Sequence, residues 1–241
     1  MVKGLVLLPN ALDPSLDSSG FLTPVLSDVV PLLSGIIAES EKGARAFLKR
    51  FTYEEPKTFR DVPIHLLNEH SSPDEIQDLL KLLRQGGSWG LISDCGLPVL
   101  ADPGAKLVRL ARHEKIPVQA YPGPSSIVLA LMLSGLSGQA FTFHGYLPRP
   151  PEPLKKKIGL IQRLTEQTHI FIEAPYRTEK LLRTLLDELS GELTLCVAWN
   201  LTLPDQEVIV KKVKAWKKGD LPDLKKKPAV FVVGSDVKSH R

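Results

Sequence analysis

Short apolar runs that alternate with helix-like stretches are the feature that most constrains the fold of this chain. Runs rich in Val, Ile, Leu or aromatic residues predict strands, and the stretches between them show apolar spacing near 3.6 or strong helix formers. This alternation is typical of an α/β protein whose parallel or mixed sheets are covered by helices. The predicted strands are 4–8, 89–92, 118–121, 141–144, 169–172, 193–199, 207–212 and 229–233, and the predicted helices are 39–50, 73–85, 105–114, 126–133, 154–167 and 178–189.

The length of 241 residues fits either one large α/β unit or two domains. Hydrophobic residues make up 43% of the chain and charged residues 24%, which excludes disordered, collagen-like and coiled-coil classes. Pro122-Gly123-Pro124 stops a predicted strand and fixes the chain direction before a helix. We therefore predict an N-terminal α/β domain over 1–120 and a C-terminal α/β domain over 121–241.

The cysteines and the hydropathy pattern bear on the cellular setting. Cys95 and Cys196 are far apart in the sequence, so neither a disulfide framework nor a metal site is expected. The longest central apolar run, 127–133, is far shorter than the roughly 20 residues that span a bilayer. We expect a cytoplasmic protein without a membrane helix, and the first apolar segment is interpreted as a buried strand rather than a signal peptide.

Basic residues are concentrated near the C-terminus. Residues 205–241 contain ten Lys and Arg against five Asp and Glu, whereas residues 1–40 contain one lysine against four acids. Such asymmetry is typical of a nucleic-acid interface and equally of a solvated lysine surface, so charge alone leaves both open.

Three loops carry polar residues where predicted strands end, which is where open α/β sheets bind ligands. The first begins with Ser93-Asp94-Cys95 and continues to Asp102, which either caps the following helix or lies near an anion bound at its N-terminus. The second contains Ser125 and Ser126, which either cap a helix or bind a ligand. The third contains Glu173 and Arg177, which either face a ligand or form a structural ion pair.

Several familiar catalytic motifs are absent from the sequence. The chain contains no P-loop, no G-x-G-x-x-G after a strand, no H-E-x-x-H and no G-x-S-x-G. Its six histidines form no ligand cluster, and His144 and His169 adjoin predicted strands, where histidines are more often packed than catalytic.

Six motifs in order and spacing give the chain a family resemblance. The motifs are Ser-Asp-Cys-Gly-Leu-Pro (93–98), Ala-Asp-Pro-Gly (101–104), Pro-Gly-Pro-Ser (122–125), Ser-Gly-Leu (134–136), Phe-His-Gly-Tyr-Leu-Pro (143–148) and Glu-Ala-Pro-Tyr-Arg (173–177). With them the chain resembles the small-subunit ribosomal RNA methyltransferase I group of the tetrapyrrole methylase family over most of its length.

The resemblance implies a class III methyltransferase that uses S-adenosylmethionine and releases S-adenosylhomocysteine. It implies two α/β domains with mixed sheets flanked by helices, a donor site in the cleft between the domains, and commonly a homodimer. No metal is implied. The donor-binding residues implied by position are Ser93, Asp94, Cys95, Val99, Leu100, Ser125, Ser126, Tyr176, Asn200, Leu201, Pro228, Ala229 and Val230.

For the acceptor, the resemblance implies a ribose hydroxyl of small-subunit ribosomal RNA. Glu39, Glu173 and Arg177 are the catalytic candidates, with His70 a further candidate base, because they fall in family-like segments. Residues 198–203 lack the charged members of the group's corresponding motif. A tetrapyrrole or other small-molecule acceptor, or a non-catalytic module that binds S-adenosylmethionine or RNA, therefore stays open as an alternative.

Overall fold

The computed structural model describes residues 3–15 and 20–236. The chain divides into two compact units, Met1–Ser125 and Ser126–Arg241. Lys238 and Arg241, which belong to the basic C-terminal segment, lie outside the described residues.

The sheet of the first unit has five parallel strands in the order β3-β2-β4-β1-β5. Because every pair is parallel, all five carboxyl ends lie at one edge, where loops leave the sheet. Residues of β1, β2 and β4 are almost all buried, as expected for strands covered on both faces. The strands are β1 (Gly4–Leu7), β2 (Gly35–Ala38), β3 (Ile64–Leu66), β4 (Ser88–Ile92) and β5 (Val118–Ala120).

Helices cover both faces of this first sheet. Val6 and Ile36 point into a core with α1 and α2, whereas Leu5 and Ile37 point into a second core with α3 and α4. The Ser72 side chain caps α3, and Glu75 bonds back to the Ser72 backbone N–H. The helices are α1 (Leu26–Val29), followed by a 3₁₀ turn at Val30–Leu32, α2 (Glu41–Leu48), α3 (Pro73–Arg84) and α4 (Ala105–His113).

The sheet of the second unit is mixed, in the order β6-β7-β10-β8-β9. Only β6 and β7 are parallel, and the other pairs are antiparallel. The carboxyl ends of β7 and β8 therefore meet the beginning of β10 at one edge. The strands are β6 (Phe141–Tyr146), β7 (Thr168–Glu173), β8 (Thr194–Trp199), β9 (Glu207–Lys212) and β10 (Ala229–Gly234).

One core of the second unit contains residues of α6, α7 and α8 together with strand residues that include Phe171 and Phe231. The remaining helix, α5, packs on β7, β8, β9 and β10. The helices are α5 (Ser126–Ser134), α6 (Pro151–Ile161), α7 (Thr178–Glu188) and α8 (Val213–Trp216).

The predicted architecture of two α/β sheets flanked by helices is confirmed, with local differences. Strands β2 and β3 and the four-residue helices α1 and α8 were not predicted. Their shortness alone does not explain this, because β1 and β5 are as short and were predicted. The predicted helix 154–167 is wrong at both ends, since α6 is Pro151–Ile161. Pro151 and Pro153 lie in the first turn of α6, where a missing N–H costs no intrahelical hydrogen bond.

Within the described residues, no helix combines the length and the apolar character that crossing a bilayer requires. Both cysteines have free thiols.

Candidate functional site

Asn10 joins the loops that follow β1 and β4. Its side-chain amide donates hydrogen bonds to the carbonyl oxygens of Ser93 (3.1 Å) and Asp94 (3.0 Å). The backbone N–H of Asn10 also donates to the Gly96 carbonyl oxygen at 2.8 Å. The buried Asn10 side chain thus fixes the loop predicted to bind the donor, a role that the sequence analysis missed.

Asp94 lies over the beginning of α2. The Ser40 hydroxyl donates to its carboxylate at 3.0 Å and accepts a hydrogen bond from the Gly43 N–H at 2.9 Å. A Cβ atom at Gly43 would lie 2.1 Å from the Asp94 carboxylate, so only glycine leaves room for this approach. Ser40, the N-cap of α2, therefore positions Asp94 as well as its own helix.

Three carboxylates gather at this edge: those of Glu39, Asp94 and Asp102. Burial, the charge of Asp102 and to a lesser extent that of Asp94 raise the pKa of Glu39. Burial and the charge of Asp94 raise the pKa of Asp102. Burial first, and charge repulsion second, thus disfavour ionisation of Glu39 and Asp102, and a bound cation would relieve the repulsion.

Ser93 is buried among these acids. Its hydroxyl lowers the pKa of Glu39 and of Asp102, although its oxygen makes no hydrogen bond of normal geometry within the described residues. A buried hydroxyl without such a bond is able to bind a ligand group. Asp102 is not the cap of α4, because Gly104 occupies the N-cap position and no side chain bonds there.

Cys95 is exposed overall, yet its sulfur is partly enclosed. This burial and the negative charges of Asp102, Glu39 and Asp94 raise the pKa of the thiol to about 11. Cys95 is therefore a neutral thiol at physiological pH and a poor nucleophile.

The loop that follows Cys95 has strained backbone. Val99 and Ala101 both have φ of 74°, a left-handed conformation that costs a non-glycine residue of order 1 kcal/mol or more. Val99 packs against the core, whereas Leu100 is 41% exposed. Strained loops of this kind cluster at binding sites, and Val99 and Leu100 remain predicted donor contacts.

Ser125 and Ser126 follow the Pro-Gly-Pro turn. A Cβ at Gly123 would lie 2.1 Å from the Cβ of Pro9, so glycine permits close contact between this turn and the loop after β1. Ser125 is buried at the end of the first unit, and Ser126 begins α5 in the second.

At the corresponding edge of the second unit, the backbone register brings three predicted segments together. Ala229 is paired with Glu173 on one side and with Trp199 on the other. The loops that contain Tyr176 and Asn200 begin at this edge. Pro228 is exposed there, whereas Ala229 and Val230 are buried.

Glu173 and Arg177 form an ion pair of 3.0 Å between a carboxylate oxygen and a guanidinium nitrogen. The angle is not that of a hydrogen bond, and the other Glu173 oxygen accepts from the Ala174 N–H at 2.9 Å. The Glu173 side chain is 1% exposed and that of Arg177 is 16% exposed. Glu173 and Arg177 thus form the structural ion pair that was one of the two alternatives in the sequence analysis. Tyr176, which lies between them in the sequence, is 72% exposed.

The loop after β8 is strained like the loop after β4. Asn200 and Thr202 have φ of 50° and 77°, and the Asn200 amide donates to Asp205 at 2.7 Å. Leu201 is buried, while the Thr202 hydroxyl is buried without a hydrogen-bond partner in the described structure.

The histidines near the strands are packed. His169 is buried, with Nε2 2.9 Å from the Leu164 carbonyl oxygen and Nδ1 3.0 Å from His144 Nε2. Burial lowers the pKa of His144 to about 4, so it is neutral at physiological pH. His70, the further candidate base, lies at an exposed turn 3.6 Å from Glu69.

The fold is that of solved methyltransferases. The crystal structure of the methyltransferase CobJ superposes with a TM-score of 0.62 over 96% of this chain and 94% of that one, at 17% sequence identity. Two α/β units, one with a parallel and one with a mixed sheet, are thus the fold that this chain shares with that protein.

The family follows from the sequence comparisons. The model of the Tetrapyrrole (Corrin/Porphyrin) Methylases matches residues 27–216, so the chain belongs to the tetrapyrrole methylase family. It is 32% identical over 180 residues to the ribosomal RNA small subunit methyltransferase I of Thermotoga maritima, covering 74% of this chain and 76% of the relative. It is 33% identical over 183 residues to the Vibrio cholerae enzyme of the same name, covering 76% of this chain and 61% of the relative.

The residues present fit S-adenosylmethionine. This donor supplies a methyl group activated on a positively charged sulfur. The carboxylates of Glu39, Asp94 and Asp102 suit its cationic groups and its ribose hydroxyls, and the buried Ser93 hydroxyl offers a further hydrogen bond.

Replacing Asp102 with asparagine is expected to stabilise the protein while weakening donor binding. A carboxyl whose folded pKa is raised contributes stability at low pH that is lost as the pH rises through that pKa. At pH 7 the uncharged amide should therefore raise the free energy of unfolding. Affinity for S-adenosylmethionine should fall roughly threefold to tenfold, a loss of about 1 kcal/mol.

Urea unfolding and calorimetric titration with S-adenosylmethionine measure these two effects. Glu54→Gln, at an exposed position, is the control and should change neither quantity. Loss of stability in Asp102→Asn with donor affinity intact would show that the carboxylate has a structural role.

Proposed function

We propose that this protein transfers a methyl group from S-adenosylmethionine to a ribose hydroxyl of small-subunit ribosomal RNA. The observation that carries the proposal is the similarity over about three quarters of the chain to two proteins named ribosomal RNA small subunit methyltransferase I. The matched segment spans 76% of the Thermotoga maritima protein but only 61% of the Vibrio cholerae protein. Membership of the family therefore does not by itself assign the acceptor, which is part of the proposal.

The charge distribution supports an RNA acceptor. Residues 126–241 contain 18 Lys and Arg against 12 Asp and Glu, a net charge of +6, whereas residues 1–125 contain 13 against 15, a net charge of −2. A basic second unit suits a polyanion. An acidic edge in the first unit suits a cationic donor.

Among the catalytic candidates, Glu39 is proposed as the base that takes the proton of the acceptor hydroxyl. It is half-buried, and its raised pKa brings it closer to physiological pH, which favours proton transfer. Glu173 and Arg177 are proposed to support the Tyr176 loop through their ion pair. The chain's main contribution to the rate is expected to be positioning.

We further propose a cytoplasmic homodimer. The ribosomal subunit as acceptor and the free cysteines support the compartment. Apolar surface on α5, where Met132 is 70% exposed and Leu133 45%, supports association of two copies. Light scattering during gel filtration should give a mass near 53 kDa, about twice the chain mass of 26.6 kDa.

The test is a transfer assay with radiolabelled methyl donor. The purified protein is incubated with small ribosomal subunits and, separately, with a small-molecule cell extract. Label is expected in the ribosomal RNA, at a linkage that resists alkali, because alkaline cleavage needs a free 2′-hydroxyl. Label in the extract alone would favour the tetrapyrrole or small-molecule alternative, and donor binding without transfer would favour a non-catalytic module.

A further inference from the structure

The basic C-terminal segment separates into two groups of lysines at opposite edges of the second sheet. Lys225, Lys226 and Lys227 lie directly before β10, whose first residue, Ala229, is paired with Glu173 and Trp199. We call these three residues the lysine turn. It lies at the edge that contains the predicted site residues of this unit.

The second group lies at the far edge. Lys211 is near the end of β9, opposite Leu195 at the beginning of β8, and Lys217 and Lys218 follow α8. The backbone N–H of Val213, the first residue of α8, donates to the carbonyl of Leu193, just before β8. A strand of six residues separates the two edges by roughly 17–20 Å.

The lysine turn is held firmly against the Tyr176 loop. Leu224 is fully buried, and its carbonyl oxygen accepts a hydrogen bond from the Thr178 hydroxyl at 3.0 Å. The same hydroxyl is 3.2 Å from the Pro175 carbonyl oxygen. Thr178 itself is fully buried, so it links the lysine turn to the loop that contains Tyr176 and Arg177.

The lysine turn exposes the side chains of Lys225 and Lys226. The Asp223 carboxylate accepts the Lys225 N–H at 3.0 Å, and Lys226 has φ of 59°. Lys225 and Lys226 are exposed, while Lys227 lies 5.8 Å above the Trp199 ring. No carboxylate of the described residues forms an ion pair with these three ammonium groups. The same holds for Lys211, Lys217 and Lys218 at the far edge, whereas their neighbours Lys212 and Lys214 pair with Asp236 and Glu192, so the two groups differ in position rather than in pairing.

We propose that the lysine turn binds the phosphodiester backbone of the RNA acceptor next to the site, and that the far lysines do not. The inference rests on the proposed function. Three ammonium groups without a carboxylate partner, on a fixed turn, are suited to phosphates, which position an RNA without reading its bases. The exposed Tyr176 ring, on the adjoining loop, offers a surface for a base to stack on.

The experiment compares two triple variants of equal charge. The lysine turn is altered in the variant Lys225→Gln/Lys226→Gln/Lys227→Gln. The matched control at the far edge is the variant Lys211→Gln/Lys217→Gln/Lys218→Gln. Binding to small-subunit ribosomal RNA and to a single-stranded 20-nucleotide RNA is measured over a series of salt concentrations. Thermal unfolding verifies that both variants fold.

The lysine-turn variant should bind roughly tenfold to a hundredfold more weakly, and the slope of log affinity against log salt should decrease by about 2, because each lost phosphate contact removes about 0.7. The control should keep most of its affinity. Replacing the same three lysines of the turn with arginine should restore binding.

Equal losses in the two variants would overturn the inference and leave the proposed function intact, because RNA would then respond only to net charge. Failure of the unaltered chain to bind either RNA would overturn both. Transfer of label to RNA by a lysine-turn variant with unchanged affinity would overturn the inference alone.

Discussion

Phe231→Ala is expected to lower the free energy of unfolding by about 3–5 kcal/mol, a large share of what holds a domain of this size folded. Phe231 is fully buried in the central strand β10, paired with Phe171 of β7, and their ring centroids are 5.6 Å apart. Truncation leaves a cavity in the middle of the core, because rigid strands on both sides of β10 cannot close around it.

Urea unfolding followed by tryptophan fluorescence measures this loss, since Trp199 and Trp216 are both buried in the second unit. Phe141→Ala is the matched control. Phe141 is 46% exposed on the edge strand β6, so its truncation should cost less than about 1 kcal/mol. Similar losses in the two variants would contradict the packing that the structure describes.

Arg177→Met is expected to destabilise the protein by about 3 kcal/mol, because it leaves the carboxylate of Glu173 buried without its partner. Glu173→Gln combined with Arg177→Met should recover most of that loss, since the neutral amide has no charge to compensate. Arg183→Met, at an exposed position of α7, is the control and should be nearly neutral.

This pair of variants also decides what Glu173 and Arg177 do. If their role is structural, the double variant should regain methyl transfer together with stability. If either side chain touches the reacting atoms, the double variant should fold normally and stay inactive. The unfolding free energy and the transfer rate, measured on the same preparations, separate the two roles.

Local features of the sequence were sufficient to predict most of the fold. Eight of the strands and five of the helices begin and end near their predicted limits, since apolar runs, the Ser72 cap and the Pro-Gly-Pro turn act over short distances. The runs at 35–38 and 64–66 were missed, although β1 and β5 are equally short. The first turn of α6 was missed because its proline-rich sequence gives no periodic signal, although a first helical turn accepts proline.

The motifs of the sequence also determined the family and the loops that contain the candidate residues, because residue type and spacing are local properties. Tertiary structure alone decided which side chains meet: Asn10 with Ser93 and Asp94, Ser40 with Asp94, and Thr178 with Leu224. It also separated one basic segment into lysines at two edges of a sheet. Contacts between distant residues depend on strand order and register, which a single sequence does not encode in any short stretch.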